Sequence, residues 1–134
     1  FRRYAQRIID NARTLAEGLQ AEGVRLVSGG TDNHMMLVDL SPWGLTGRTA
    51  EEVLDKVGIA CNKNMIPFDP LPPRVTSGIR LGTPAVTTRG FGPDEMQEVA
   101  RLIARVLRGI EDQRVLADVR ERTLALCRSF PLPY

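Results

Sequence analysis

The residue whose setting best suits chemistry is Arg80, which lies between Ile79 and Leu81 in a short apolar stretch. Side chains alternate along a strand, so a strand that buries its two apolar residues directs Arg80 to the opposite face. Gly78 precedes the stretch, and we expect it to let the backbone turn tightly there. A guanidinium on a rigid strand can bind a carboxylate through two parallel hydrogen bonds, which would hold an amino acid by its carboxyl group. The alternatives are a solvated charge at a sheet edge and a structural ion pair.

Other polar residues offer less chemistry. His34 is the only histidine, and no acid or cysteine cluster adjoins it, so a structural, hydrogen-bonded histidine is predicted. Asp39 is expected to cap or pair locally, because no carboxylate partner marks an acid–base dyad. The glycine-rich residues 29–31 lack the lysine of a P-loop and predict a turn. Arg89 follows two threonines, and we assign it no role beyond its charge.

The elements that must position these residues are predicted from hydrophobic spacing and turn residues. Helices are expected over residues 2–20, 49–57, 93–110 and 113–127, and strands over residues 24–27, 35–40, 59–61 and 79–81. This order predicts a small sheet covered on one face by helices, an α/β (α+β) two-layer sandwich. No linker or repeat divides the chain, so residues 1–134 are expected to form one domain.

Local signals set the predicted boundaries. Gly23 and Gly58 are expected to end helices, as C-terminal glycines often do. Residues 49–52 have the spacing of a capping box and predict a helix start at Thr49. Pro93 suits the first position of a helix. Four prolines within residues 67–73 predict a rigid, irregular loop.

Composition excludes several classes of protein. The chain has 134 residues, 43% hydrophobic and 25% charged, with a net charge of +2, so no nucleic-acid or membrane footprint stands out. No apolar run approaches a membrane helix, and no signal peptide is recognisable, which predicts a cytoplasmic protein. Cys61 and Cys127 fit no metal-binding spacing and are expected to be reduced, half-buried thiols. Only two of the 18 basic residues, Lys56 and Lys63, are lysines.

Three ordered motifs carry a resemblance to a known family: SGGTDNHMMLVDL at residues 28–40, CNKNMIPFDP at residues 61–70 and TSGIRLGTPAVTTRGF at residues 76–91. In order and approximate spacing they resemble the C-terminal region of serine hydroxymethyltransferase, a pyridoxal-phosphate (PLP) enzyme. The resemblance extends over about residues 1–109. It implies the C-terminal small domain of a fold-type I PLP-dependent transferase that interconverts serine and glycine and transfers a one-carbon unit to tetrahydrofolate.

The resemblance also implies roles for single residues. Arg80 would bind the carboxylate of serine or glycine. Asn64 would contact the folate cosubstrate, since an amide offers both a donor and an acceptor to a pteridine edge; stabilising the loop before Pro67 is the alternative. Lys63 could meet the anionic glutamate tail of folate, or could be simply solvated. The parent enzyme would be a homodimer or a dimer of dimers.

The resemblance leaves essential parts outside this sequence. A PLP enzyme forms a Schiff base with a lysine, and neither Lys56 nor Lys63 lies in the family's Thr-His-Lys segment. Because the sequence begins at Phe1, we expect a piece of a longer protein whose PLP-binding large domain lies upstream. No catalytic residue is therefore expected in this chain, and the fragment alone should be inactive.

Two alternatives remain open at this stage. The chain could be the small domain of another fold-type I enzyme, such as a threonine aldolase or an aminotransferase. The asparagine-rich residues 62–64 and the proline-rich loop argue against that assignment. The chain could also be a stand-alone, non-catalytic binding or assembly module.

Overall fold

The computed structural model describes residues 2–27, 35–82 and 89–131. These residues form four helices, α1 (Arg2–Ala21), α2 (Gly47–Lys56), α3 (Pro93–Arg108) and α4 (Gln113–Ser129). They also form four strands, β1 (Arg25–Leu26), β2 (Met35–Asp39), β3 (Asn62–Asn64) and β4 (Gly78–Gly82). A short 3-10 turn, Ser41–Trp43, follows β2. None of the described helices is long and apolar enough to span a membrane.

The strands form one antiparallel sheet in the order β1-β2-β4-β3. The two longest strands are central, and Leu37 of β2 lies opposite Arg80 of β4. In the described part of the chain, helices pack on one side of this sheet only, which confirms the predicted α+β architecture. We call the other side, which carries Met35, Leu37, Arg80 and Asn62, the open face.

Burial separates the two faces. Met36 and Val38 of β2 and Ile79 and Leu81 of β4 are all buried, while Met35 on the open face is 37% exposed. Because alternate residues of a strand point to opposite sides, the four buried residues form the floor of the core. The helices cover that floor, with α1 packed along α3 and with α3 against α4.

The first helix matches its prediction within one residue. Its predicted stripe is buried at Ala12, Leu15 and Leu19. Gly23 follows with a φ of +85°, the left-handed conformation that glycine adopts without steric cost. Gly58 after α2 has a φ of +89° and ends that helix in the same way.

The start of α2 is a correction to the sequence analysis. The helix begins at Gly47, and its N-cap is Thr46, whose hydroxyl accepts a hydrogen bond from the Thr49 amide at 3.2 Å. The predicted capping box with Thr49 at its start is therefore wrong. Position 49 is three residues after the true cap. Only Thr49 is followed three residues later by a glutamate, Glu52, so the capping-box pattern favoured the wrong threonine.

The third strand is also displaced from its predicted place. Residues 59–61 do not form a strand, and β3 is instead Asn62–Asn64. Ile59 and Cys61 are half-buried and pack against the core. A strand was predicted at residues 59–61 because these residues are hydrophobic. The observed strand consists of polar residues and lies at the sheet edge.

The two C-terminal helices lie close to their predicted bounds. Pro93 occupies the first turn of α3, and the Glu95 carboxylate accepts a hydrogen bond from the Gly92 amide at 2.8 Å. Asp112 caps α4 by accepting from the amides of Arg114 and Val115. These caps satisfy amides that a helix leaves without partners in its first turn.

Candidate functional site

Arg80 lies on the open face, on the central strand β4. Its side chain is exposed, whereas its neighbours Ile79 and Leu81 are buried, as their alternation predicts. Within residues 2–27, 35–82 and 89–131, no hydrogen bond or ion pair engages the Arg80 guanidinium. The structural ion pair considered from the sequence is therefore not formed with any described residue.

The register of the sheet places two residues beside Arg80 that the sequence analysis did not select. Asn62 of β3 lies opposite Arg80 on one side, and Leu37 of β2 lies opposite it on the other. Residues directly opposite each other in an antiparallel pair share a face, so an amide and an apolar side chain flank the guanidinium. Correct placement of β3 would have been needed to find Asn62.

Gly78 supports this arrangement, though not by forming a turn. It is the first residue of β4, and its φ is not positive, so the predicted tight turn is wrong. A Cβ at this position would lie 2.8 Å from the carbonyl oxygens of both Asn64 and Val38. Only glycine lets the two neighbouring strands approach β4 this closely.

The loop that leads into β4 is organised around Asp69. Its carboxylate accepts hydrogen bonds from the amides of Ile66, Leu71 and Ser77 and from the Ser77 hydroxyl, at 2.8 to 3.2 Å. Partial burial by itself raises the pKa of this carboxyl, but the hydrogen bonds outweigh it and bring the pKa down to about 2. Asp69 is thus a charged anchor for the loop.

A second set of contacts joins the same loop to α2. The amides of Gly47 and Arg48, in the first turn of the helix, donate to the carbonyl oxygens of Thr76 and Val75 at 3.0 and 2.9 Å. Thr76 is buried with a φ of +58°, and its hydroxyl donates to the carbonyl oxygen of Gly78. A β-branched residue in this left-handed region is strained, and such strain is maintained only where the surroundings fix it.

Asn64 lies on the same face as Arg80, because it is opposite Gly78 in the register. Its side-chain amide donates to the carbonyl oxygen of Met65 at 2.9 Å. No described donor reaches its carbonyl oxygen, which leaves that oxygen able to accept. Asn64 therefore makes the loop contact that was one alternative in the sequence analysis. Its carbonyl oxygen, which no described donor reaches, is consistent with the other alternative, a contact to folate.

The two lysines are placed away from Arg80. Lys63 is opposite Ile79 and so faces the helices, where its ammonium lies 3.6 Å from the carboxylate of Glu51. The backbone amide of Lys63 donates to the same carboxylate at 2.7 Å. Lys56 is exposed in the last turn of α2. The contacts of Lys63 give no support to a folate-binding role, which stays a prediction.

Two further predictions on polar residues can be compared with the structure. Asp39 does pair locally: it accepts from the Ser41 amide at 2.9 Å and lies 3.6 Å from the guanidinium of Arg25. Arg89 donates to the carbonyl oxygens of Cys127 and Phe130. It therefore has a structural role, connecting the segment before α3 to the end of α4. His34 and residues 29–31 lie outside the described residues.

Cys61 and Cys127 are free and half-buried. Burial, followed by the negative charges of Glu51 and Asp55, raises the pKa of the Cys61 thiol to about 12. A thiol that stays protonated is a poor nucleophile and a poor metal ligand. Among the described residues no three acidic, histidine or cysteine side chains come together as a metal-binding group.

The comparison with known families assigns most of the chain to one family. Residues 1–103 match the sequence profile of a family described as serine hydroxymethyltransferase. The match covers α1, α2, all four strands and most of α3, and therefore includes Arg80 and Asn64. The chain belongs to the serine hydroxymethyltransferase family.

Proposed function

We propose that the chain is the C-terminal small domain of a fold-type I serine hydroxymethyltransferase and that Arg80 binds the carboxylate of serine or glycine. The observation that carries this proposal is the guanidinium of Arg80, exposed on the central strand and not paired with any described residue. An unpaired arginine on a rigid strand offers the planar fork that fits a carboxylate.

Arg80 would act by binding and orientation. Asp69, Thr76 and the close strand contacts at Gly78 fix the start of β4, so the strand backbone at Arg80 need not rearrange when a carboxylate binds. Asn62 opposite it could supply a further hydrogen bond to a carboxylate oxygen, and Leu37 excludes water from one side. Fixing the carboxylate fixes the orientation of the amino acid's α-carbon bonds.

PLP, which the family implies, supplies the electron sink for breaking bonds at that carbon when it is bound. The described residues do not fit the cofactor. Lys63 is paired with Glu51 on the helix side of the sheet, and Lys56 lies on the surface of α2, so neither is placed to form a Schiff base near Arg80. We infer that a large domain supplies the lysine and the cofactor contacts, and that this chain alone turns over no substrate.

Asn64 is proposed to contact tetrahydrofolate. It shares the open face with Arg80, and its carbonyl oxygen is free of described donors, as a contact to a pteridine N–H requires. Lys63 is the weaker folate candidate because Glu51 already neutralises it. The remaining proposals, a homodimer or dimer of dimers and a cytoplasmic location, rest on the family alone.

The test uses the complete enzyme that contains this domain. We expect Arg80→Ala to weaken serine and glycine binding by about 100-fold or more, since each hydrogen bond to a charged group contributes about 1.5–3 kcal/mol. Arg80→Lys should recover little of this loss, because an ammonium lacks the fork. Arg25→Ala is the matched control: it removes an arginine from the same sheet that already pairs with Asp39.

Cofactor content and melting temperature must stay unchanged for the comparison to report binding. Equal affinities in the parent enzyme and Arg80→Ala would remove Arg80 from the site. For Asn64→Ala we expect a larger loss in the folate-dependent reaction than in folate-independent aldol cleavage. Equal losses would assign Asn64 to the loop contact with Met65.

A further inference from the structure

Strand β3 lies at the edge of the sheet and has no buried side chain. Asn62 is exposed, and Lys63 and Asn64 are only half-buried. Burial of apolar surface is the dominant favourable term in folding, and within this strand it contributes little. The backbone hydrogen bonds to β4 and the contacts of Lys63 with α2 are therefore the interactions that hold these three residues in place.

One carboxylate binds the middle residue of this strand. Along an antiparallel edge strand only alternate amides point towards the partner strand, so the others need an acceptor elsewhere. The amide of Lys63 donates to Oε2 of Glu51, on α2, at 2.7 Å. Oε1 of the same carboxylate lies 3.6 Å from the Lys63 ammonium. Glu51 thus holds the centre of β3 by its main chain and by its side chain.

The contact with the amide is the stronger of the two. A hydrogen bond to an ionised acceptor at this distance is short and charge-assisted. The ion pair is longer, and the side chains of Lys63 and Glu51 are 33% and 30% exposed, so water weakens it. The position of the β3 backbone should therefore depend on the acceptor oxygen more than on attraction to the ammonium.

The middle residue of β3 determines where its two neighbours lie. Because side chains alternate along a strand, Lys63 points to the helices while Asn62 and Asn64 point to the open face. Asn62 lies opposite Arg80, and Asn64 lies two residues further along the same strand. A shift of the β3 backbone would move both amide side chains relative to Arg80.

We propose that Glu51 is a positioning residue for the open face: by accepting from the Lys63 amide, it holds Asn64 where that residue contacts tetrahydrofolate. This inference rests on the proposed folate contact of Asn64. Glu51 belongs to α2, which packs on the other side of the sheet, and so touches neither the amino acid nor folate. Its loss should weaken folate binding while Arg80, on the neighbouring strand, still binds the carboxylate.

The test uses the complete enzyme that contains this domain. We expect Glu51→Ala to raise the KM for tetrahydrofolate about tenfold with little change in kcat, because it removes a charge-assisted hydrogen bond from the backbone that carries Asn64. Glu51→Gln keeps an acceptor oxygen and should restore most of the affinity. Glu52→Ala is the matched control, since Glu52 is exposed and pairs with Arg48 within α2. It should change the KM by less than about twofold.

A second measurement follows hydrogen exchange of the backbone amides of residues 62–64 in the same enzyme without folate. Exchange reports local opening, so it should be about tenfold or more faster in Glu51→Ala than in the parent enzyme. In Glu51→Gln it should stay close to the parent rate. A general loss of stability would instead speed exchange throughout the domain, including α3.

The link to Asn64 is tested by combining the two changes. In an Asn64→Ala background, Glu51→Ala should cause little further loss of folate affinity, because both changes act on one contact. Additive losses would overturn the positioning role, and so would unchanged exchange of residues 62–64 in Glu51→Ala. If Asn64→Ala alone left the KM for tetrahydrofolate unchanged, the proposed folate contact would fail, and the exchange rates alone would decide whether Glu51 holds β3.

Discussion

Asp69 accepts hydrogen bonds from both the backbone amide and the hydroxyl of Ser77, each at 2.8 Å. Ser77 immediately precedes β4, so this pair fixes the proline-rich loop to the strand that carries Arg80. The contact therefore links the shape of an irregular segment to the position of the candidate ligand-binding residue.

Stability should depend on the ionisation of Asp69. Its pKa of about 2 in the folded chain lies below the ordinary value of 3.8. The stabilisation is therefore fully present above pH 3.8 and is lost as the pH falls towards 2. We expect Asp69→Asn to lower the urea midpoint at pH 6, and the difference from the unmodified chain to shrink between pH 4 and pH 2.

Ser77→Ala provides the partner variant for this test. If the two side chains act as one contact, the double variant should lose less than the sum of the two single losses. The assigned contact would be contradicted if the stability losses of the two single variants added up to the loss of the double variant. It would also be contradicted if the difference in urea midpoint between Asp69→Asn and the unmodified chain did not change with pH.

Phe68 should be replaceable with a gain in stability. It is fully exposed, and its φ of +56° is in the left-handed region, where an ordinary residue is strained by roughly 1–2 kcal/mol. Asparagine tolerates this conformation, so Phe68→Asn should raise the free energy of unfolding by about 1 kcal/mol. Phe68→Val should lower it, because a β-branched residue is worse there. A loss in both variants would show that the ring makes a stabilising contact.

The Cys61 thiol should react slowly with alkylating reagents. Because its pKa is raised to about 12, very little thiolate exists at pH 8. In a Cys127→Ser background, we expect iodoacetamide to modify Cys61 about 30-fold or more slowly than glutathione, after allowance for the greater nucleophilicity of a more basic thiolate. The rate should keep rising with pH up to pH 11. A plateau near pH 9 would contradict the burial of this thiol.

The sequence was sufficient for most of the fold and for the central feature of the candidate site. Alternation at Ile79, Arg80 and Leu81 predicted which way the arginine points, and the helical stripe of α1 predicted the buried positions. Both predictions depend on local periodicity, which the sequence displays directly.

The parts that the sequence could not supply depend on distant contacts. The pairing of Asn62 with Arg80 follows from the register of two strands, and β3 is too polar and too short to be found by hydrophobicity. The need for glycine at position 78 comes from carbonyl oxygens on two neighbouring strands. The partners of Asp69 lie up to eight residues away, in a loop with no repeating pattern.

The short edge strands have a consequence for self-association. In the described part of the chain the sheet ends in β1 and β3, which are two and three residues long, while the five-residue strands are paired on both sides. Unpaired backbone groups on a long edge strand are a template on which another chain can add, and edges this short provide few of them. Copies of this domain should therefore meet through side chains rather than by extending one sheet into the next, which protects it from β-type aggregation.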